Sequence, residues 1–149
     1  MSDTIRFVVP ALPVAQPRQR FRNIKTKDGR EFTQNYTPRT GKAASFKATV
    51  RLSAQQAYQG APLTGPLQID IKFVFARESS KVWKTRAMPR YRHTQKPDRD
   101  NLDKSVLDAM KGTLFVDDSQ VCAGSIEKWR AAGDEQPHCE ITITQLEPV

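Results

Sequence analysis

Alternation of apolar and polar positions is clearest at Leu67 to Phe75. There Leu67, Ile69, Ile71, Phe73 and Phe75 are interleaved with Gln68, Asp70, Lys72 and Val74. A period of two places one set on a buried face and predicts a strand. Ile5, Phe7 and Val9 predict a first strand in the same way. Pro10, Pro13 and Pro17 then exclude regular helix and predict an extended segment. Arg18, Arg20 and Arg22 follow at period two, so an extended Gln19 to Asn23 carries three guanidinium groups on one face. Lys27-Asp28-Gly29-Arg30 reads as a turn, with Glu31 to Tyr36 returning beside the first arm.

From Pro38 to Tyr58 the period changes. Phe46, Val50, Ala54 and Ala57 recur at helical spacing, and Gly60, Pro62, Gly65 and Pro66 close the segment. A second helix is predicted from Pro97 to Lys111, stopping at Gly112. Its buried stripe is Leu102, Val106, Ala109 and Met110, with Asp100, Lys104, Asp108 and Lys111 opposite. Residues 77–96 have no periodicity and predict a long connection, of a length usually functional or mobile. Val121 to Arg130 and His138 to Leu146 predict a closing hairpin around Gly133-Asp134. The order is strands, helix, strand, helix, hairpin. It predicts an α+β fold, a small mixed β-sheet with two main helices packed on one face, in a single domain over residues 1–149.

Composition narrows the classes. No apolar run spans a bilayer, since Phe7 to Ala15 is short and holds Pro10 and Pro13. Asp3 stands where a secretory signal has a basic region, so a cytoplasmic protein is expected. Cys122 and Cys139 have no CxxC or Cys/His spacing, and His93 and His138 are isolated, which argues against zinc. Two buried thiols are the favoured reading over a Cys122–Cys139 disulfide.

The formal charge of +8 is unevenly distributed. Residues 1–50 hold ten basic and three acidic groups, and residues 51–97 nine and two, so each segment carries +7. Residues 98–149 hold five and eleven, for −6. A basic body of +14 attracts polyanions such as nucleic acid. Within it, residues 77–96 contain seven basic groups and one acidic, with Trp83 and Tyr91 among them.

The acidic third opens on Asp98, Asp100 and Asp103, at the start of the second helix. Helix capping and the helix dipole account for one or two of these. They do not account for Asp117-Asp118, just beyond the same helix. If Gly112 to Val116 runs back along the helix, Asp117 or Asp118 stands near Asp98 and Asp100. Such a cluster repels itself unless a cation neutralises it. Carboxylates without Cys or His suit Mg²⁺, with Mn²⁺ as substitute. That is the usual equipment for phosphodiester hydrolysis. Lys104, one turn after Asp100, is either an ordinary ion-pair partner or a cation held over the metal site.

Asp98-Arg-Asp-Asn-Leu-Asp-Lys104, Leu107-Asp108-Ala109 and Phe115-Val-Asp-Asp-Ser-Gln-Val121 together resemble the signature of the RusA-type Holliday-junction resolvases. The pattern is D-x-D-N-x-x-K, a helix with L/F-D-A-L/M, then D-D-x-Q-V/I. Arg18-Gln-Arg20-Phe21 and Tyr36-Thr-Pro38 are similar to phage-borne members. The resemblance implies a RusA-like homodimer with Mg²⁺-dependent nicking of opposed strands at a four-way DNA junction. It implies catalytic roles for Asp98, Asp100, Asp118 and Lys104, and adds Asp117 as a further metal-ligand candidate. Asp103 falls at a variable position of the pattern.

Two symmetric cuts agree independently with two chains, each bringing one cluster. Arg18, Arg20, Arg22, Lys25, Lys27 and Arg30 form one candidate phosphate surface. Lys81, Lys84, Arg86, Arg90, Arg92 and Lys96 form another. Trp83 or Tyr91 is a candidate to stack on unpaired bases, with packing the favoured role for Trp83. The rival class is a non-catalytic basic DNA-binding or architectural protein. A debranching nuclease of a phage, with the same fold, is a third reading.

Overall fold

The computed structural model describes residues 4–17, 20–36 and 41–148. Arg18 and the Pro38 start of the first helix lie outside these, as does the side chain of Arg20. Seven strands and two helices follow in the order β1 (Thr4–Val9), β2 (Arg20–Lys25), β3 (Glu31–Tyr36), α1 (Gly41–Ala57), β4 (Leu67–Phe75), β5 (Tyr91–Arg92), α2 (Arg99–Met110), β6 (Val121–Arg130) and β7 (His138–Gln145). The main sheet has the order β1-β7-β4-β6-β5, and β2-β3 is a separate two-stranded hairpin. The α+β class and mixed sheet agree with the sequence pattern.

Strand β4 is central because its inward positions are uniformly apolar. Leu67, Ile69, Ile71 and Phe73 are buried in one cluster with Phe46, Val50 and Ala54 of α1 and Leu102, Val106, Ala109 and Met110 of α2. Burying each large side chain contributes roughly 1.5–3 kcal/mol, enough to order both helices on one sheet face. Ala57 departs from its predicted stripe and is exposed, while Ala43 is buried.

The expected closing hairpin is corrected. β6 and β7 do not pair with each other, because β4 lies between them, parallel to β6 and antiparallel to β7. A parallel pair requires a crossover, and α2 supplies it. The same arrangement separates the cysteines. Strands two apart in a sheet are ~9.6 Å apart, beyond disulfide reach. Both thiols are free. Cys139 is buried, and burial pushes its thiol up, but Cys122 is exposed, against expectation.

The connection 77–96 is a loop with a short 3-10 turn at Ser79–Lys81 and the two-residue β5 on the edge of β6. His93 at its end is a core residue. It packs edge-on against Phe75 at 4.6 Å, and burial beside Arg130 and Lys128 lowers its pKa to about 4.

Candidate active site on helix α2

Helix α2 begins at Asp98, whose backbone takes the cap position without a side-chain capping bond. Capping therefore does not explain this aspartate. Lys128 of β6 donates to the carbonyls of Gln95 (2.5 Å) and Pro97 (2.7 Å), tying the helix start to the sheet next to the Asp98 charge. The extended N-terminal segment reaches the same place, where the Gln16 amide donates to the Asn101 carbonyl at 3.0 Å. The β2–β3 hairpin begins at Arg20, four residues further along the chain. Asp100 and Lys104 follow on the exposed side of the helix, opposite buried Leu102 and Val106.

The chain turns tightly after α2. Thr113 and Leu114 donate to the Met110 carbonyl, Gly112 donates to Phe115 at 2.7 Å, and Leu114 and Phe115 are fully buried. Gly112 has φ +83°, which a side chain disfavours. Because this turn consumes residues 112–115, the return along α2 is shorter than expected. Asp118 consequently stands against the middle and end of the helix, where it feels Asp103, Lys104, Asp108 and Lys111.

The two aspartates of the doublet have different surroundings. Asp117 caps the short 3-10 turn Asp118–Gln120. Its carboxylate accepts from the Ser119 amide (3.1 Å) and hydroxyl (2.5 Å), and lies 3.0 Å from Lys111 Nζ. The Ser119 bonds and Lys111 hold its pKa far below the usual range. Gln120 completes the lock. Its side-chain oxygen accepts from Val116 and Asp117, and its amide donates to Leu63 and Gly65. Asp118 has no such support. Its Oδ1 is buried without a hydrogen-bond partner, and burial followed by the Asp108 charge pushes its pKa up. Asp103 is raised too, by burial and then by Asp118.

Two sequence expectations change here. Asp103, a variable position of the motif, faces Asp118. Asp108 also borders Asp118 while pairing with Lys47 of α1 at 3.5 Å. Their signal was the 3–4 spacing along one polar helix face, which also holds Asp100, Lys104 and Lys111. Among the described residues no three carboxylates or imidazoles form a ready metal cage. Mg²⁺ does not require one, since it keeps several waters and takes one or two carboxylates. A buried bare carboxylate oxygen amid like charges, with only hard oxygen donors, fits such an ion.

Of the candidate phosphate contacts, Lys27, Lys81, Lys84, Arg86 and Lys96 are exposed. Arg22 bonds the Gln34 side chain at 2.9 and 3.1 Å, Lys25 pairs with Glu31 at 3.3 Å, and Arg30 with Asp28 at 3.1 Å. Exposed pairs contribute ~0–1 kcal/mol and yield readily to phosphate. Arg92 lies on the Trp129 ring at 3.8 Å and pairs with Glu127 at 2.9 Å.

Arg90 differs from these. It grips Glu135 with two bonds (2.6 and 2.7 Å) and Glu140 with a third (2.6 Å), so its guanidinium braces the sheet end instead of facing solvent. These bonds hold Glu135 down to about 2. Arg90→Ala is expected to cost roughly 2 kcal/mol in a urea melt, because two carboxylates lose their partner. It should leave the salt slope of DNA binding unchanged. A slope reduced by about one would instead place Arg90 in the footprint.

The fold is thus α+β, with a mixed sheet and a helix whose polar face is lined by carboxylates. The model of the endodeoxyribonuclease RusA family matches residues 10–144. The chain belongs to the RusA endodeoxyribonuclease family. It is also 33% identical over 151 residues to YqaN of Bacillus subtilis (strain 168), an uncharacterized protein, covering 97% of this chain and 98% of that one. No helix among the described residues is long and apolar enough to cross a membrane.

Proposed function

We propose that this chain is a Mg²⁺-dependent endonuclease that resolves four-way DNA junctions by paired nicks in recombination and repair. The observation that carries the reading is Asp118, with a buried, unpartnered oxygen facing the polar side of α2 beside Lys104. A protein that only bound DNA would gain nothing from bare carboxylates next to a basic surface, since they repel phosphate. The family pattern assigns Asp98, Asp100 and Asp118 to the ion; of these, Asp118 has the bare buried oxygen that would hold it, and Asp103 borders Asp118. When bound, the ion supplies an activated water and neutralises charge on the phosphate.

The chain's own residues do the remainder. Lys104 stands beside Asp118, where its ammonium would stabilise the developing charge on the cleaved phosphate. The Asp117–Lys111–Ser119–Gln120 lock positions Asp118. The exposed cations of the hairpin and of loop 77–96 bind backbone phosphates without reading sequence. Each chain has one site, so two cuts call for a two-fold homodimer. Its substrate, chromosomal or phage DNA, places its work in the cytoplasm.

The test is a synthetic four-way junction with and without Mg²⁺, against uninterrupted duplex. Paired nicks near the branch point are expected only with metal. Strong cutting of plain duplex would make the protein a general nuclease, and binding without nicks an architectural one. Lys104→Ala is expected to lower turnover ~10²-fold or more with affinity nearly retained. Equal losses in both would make Lys104 a binding residue.

A further inference from the structure

Loop 77–96 contains a feature that phosphate binding does not use. Arg77, Lys81, Trp83, Pro89 and Tyr91 line a cavity of about 240 Å³. That is below the ~300–1,000 Å³ of sites for drug-sized molecules. The cavity is built from fixed parts. Arg77 donates to the carbonyls of Lys81 (2.5 Å), Pro89 (2.7 Å) and Ala131 (3.2 Å), clamping both sides of the loop to the sheet. The same guanidinium lies 5.1 Å from the Trp83 ring centre and 5.1 Å from that of Tyr91. Tyr91 is held by its hydroxyl, which donates to Glu78 at 3.2 Å. The Trp83 amide lies 3.2 Å from the Met88 sulfur.

Charge around the cavity favours a polyanion. Exposed Lys81 lines it, exposed Arg86 lies 4.0 Å from the Trp83 ring centre, and exposed Lys84 follows Trp83 in the chain. Glu78, the one acid of the loop, is engaged by Tyr91 and by Arg130 at 3.8 Å. Two aromatic rings and a guanidinium plane, ringed by cations, match a flat heterocycle carried on a phosphate chain. Tyr91 is seven residues from Asp98, so the cavity lies within ~24 Å of extended chain from the start of α2, the helix that carries the candidate site.

We propose that the Trp83–Tyr91 cavity receives one unstacked DNA base next to the branch point, with Lys81, Lys84 and Arg86 on its flanking phosphates. This rests on the nuclease reading above and gives it a means of telling a junction from a duplex. Bases at a branch point unstack at less cost than bases within a duplex, and the cavity binds the one released.

The experiment measures affinity by fluorescence anisotropy in Ca²⁺, for a labelled four-way junction and for a duplex of the same sequence. Trp83→Ala is expected to weaken junction binding about tenfold, with a several-fold smaller loss on duplex, and Trp83→Phe to restore most of it. The second arm uses wild-type protein, so it does not depend on how the variant folds. Single abasic sites are placed one to four nucleotides from the branch. One position is expected to cost wild type a similar factor and to cost Trp83→Ala nothing further. Equal losses of Trp83→Ala on junction and duplex, or no sensitive abasic position, would overturn the cavity's role. Wild type that fails to bind or nick the junction would overturn the nuclease reading itself.

Discussion

Asp118→Asn is expected to lower Mg²⁺-dependent nicking of a four-way junction by about 10³-fold, with junction affinity within threefold of wild type. The asymmetry follows from the site. The basic surface proposed to bind DNA is untouched, whereas the carboxylate whose Oδ1 is buried and unpartnered loses the charge that would hold a cation. A second readout needs no catalysis. A ligand that binds only the folded state stabilises it by ~2.7 kcal/mol at a hundred times its dissociation constant. Wild-type protein should therefore melt higher in Mg²⁺, and Asp118→Asn should lose that rise. Asp117→Asn is the control. Its carboxylate is engaged by Ser119 and Lys111, so a smaller loss of activity is expected, through a loosened turn. If Asp118→Asn nicks normally, or Asp117→Asn is the more severe, the metal site is assigned to the wrong aspartate.

Gly124→Ala is expected to destabilise the protein by ~3 kcal/mol or more in a urea melt. Gly124 sits in β6 at φ +139°, beside the irregular start of its parallel pairing with β4. A Cβ there would lie 1.8 Å from the Ile69 carbonyl oxygen, an impossible contact with backbone of the central strand. Left-handed strain and overpacking cost ~1–3 kcal/mol each, and the atom in the way is not a flexible side chain. Because β6 starts three residues after Asp118, the variant should also lose the Mg²⁺-dependent melting shift. A cost under ~1 kcal/mol would mean that β4 and β6 can separate there without penalty, contrary to the register.

Periodicity alone located most elements. β4, the hairpin turn at Lys27–Arg30 and the apolar stripe of α2 were readable because each follows from spacing within one segment. Pairing partners were not, since β6 and β7 are consecutive in sequence and each is as apolar as a hairpin arm requires. Only the buried, uniformly apolar β4 explains why both prefer it to each other. Likewise, six cations of loop 77–96 read as one phosphate surface, yet Arg90 is taken up by Glu135 and Glu140, residues forty-five and fifty positions away.

By itself the sequence determined the α+β class, the division into a basic body and an acidic third, and the motif carrying Asp98, Asp100, Lys104 and the Asp117-Asp118 doublet. These depend on residue identity and on spacings of a few positions. The tertiary structure decided which aspartate of the doublet is bare, that Asp103 and Asp108 border it, and that Trp83 and Tyr91 share a cavity around Arg77. Those outcomes depend on how many residues the turn after α2 consumes and on which carbonyls the half-buried Arg77 guanidinium reaches. Both are set by packing against β4 and not by any local pattern.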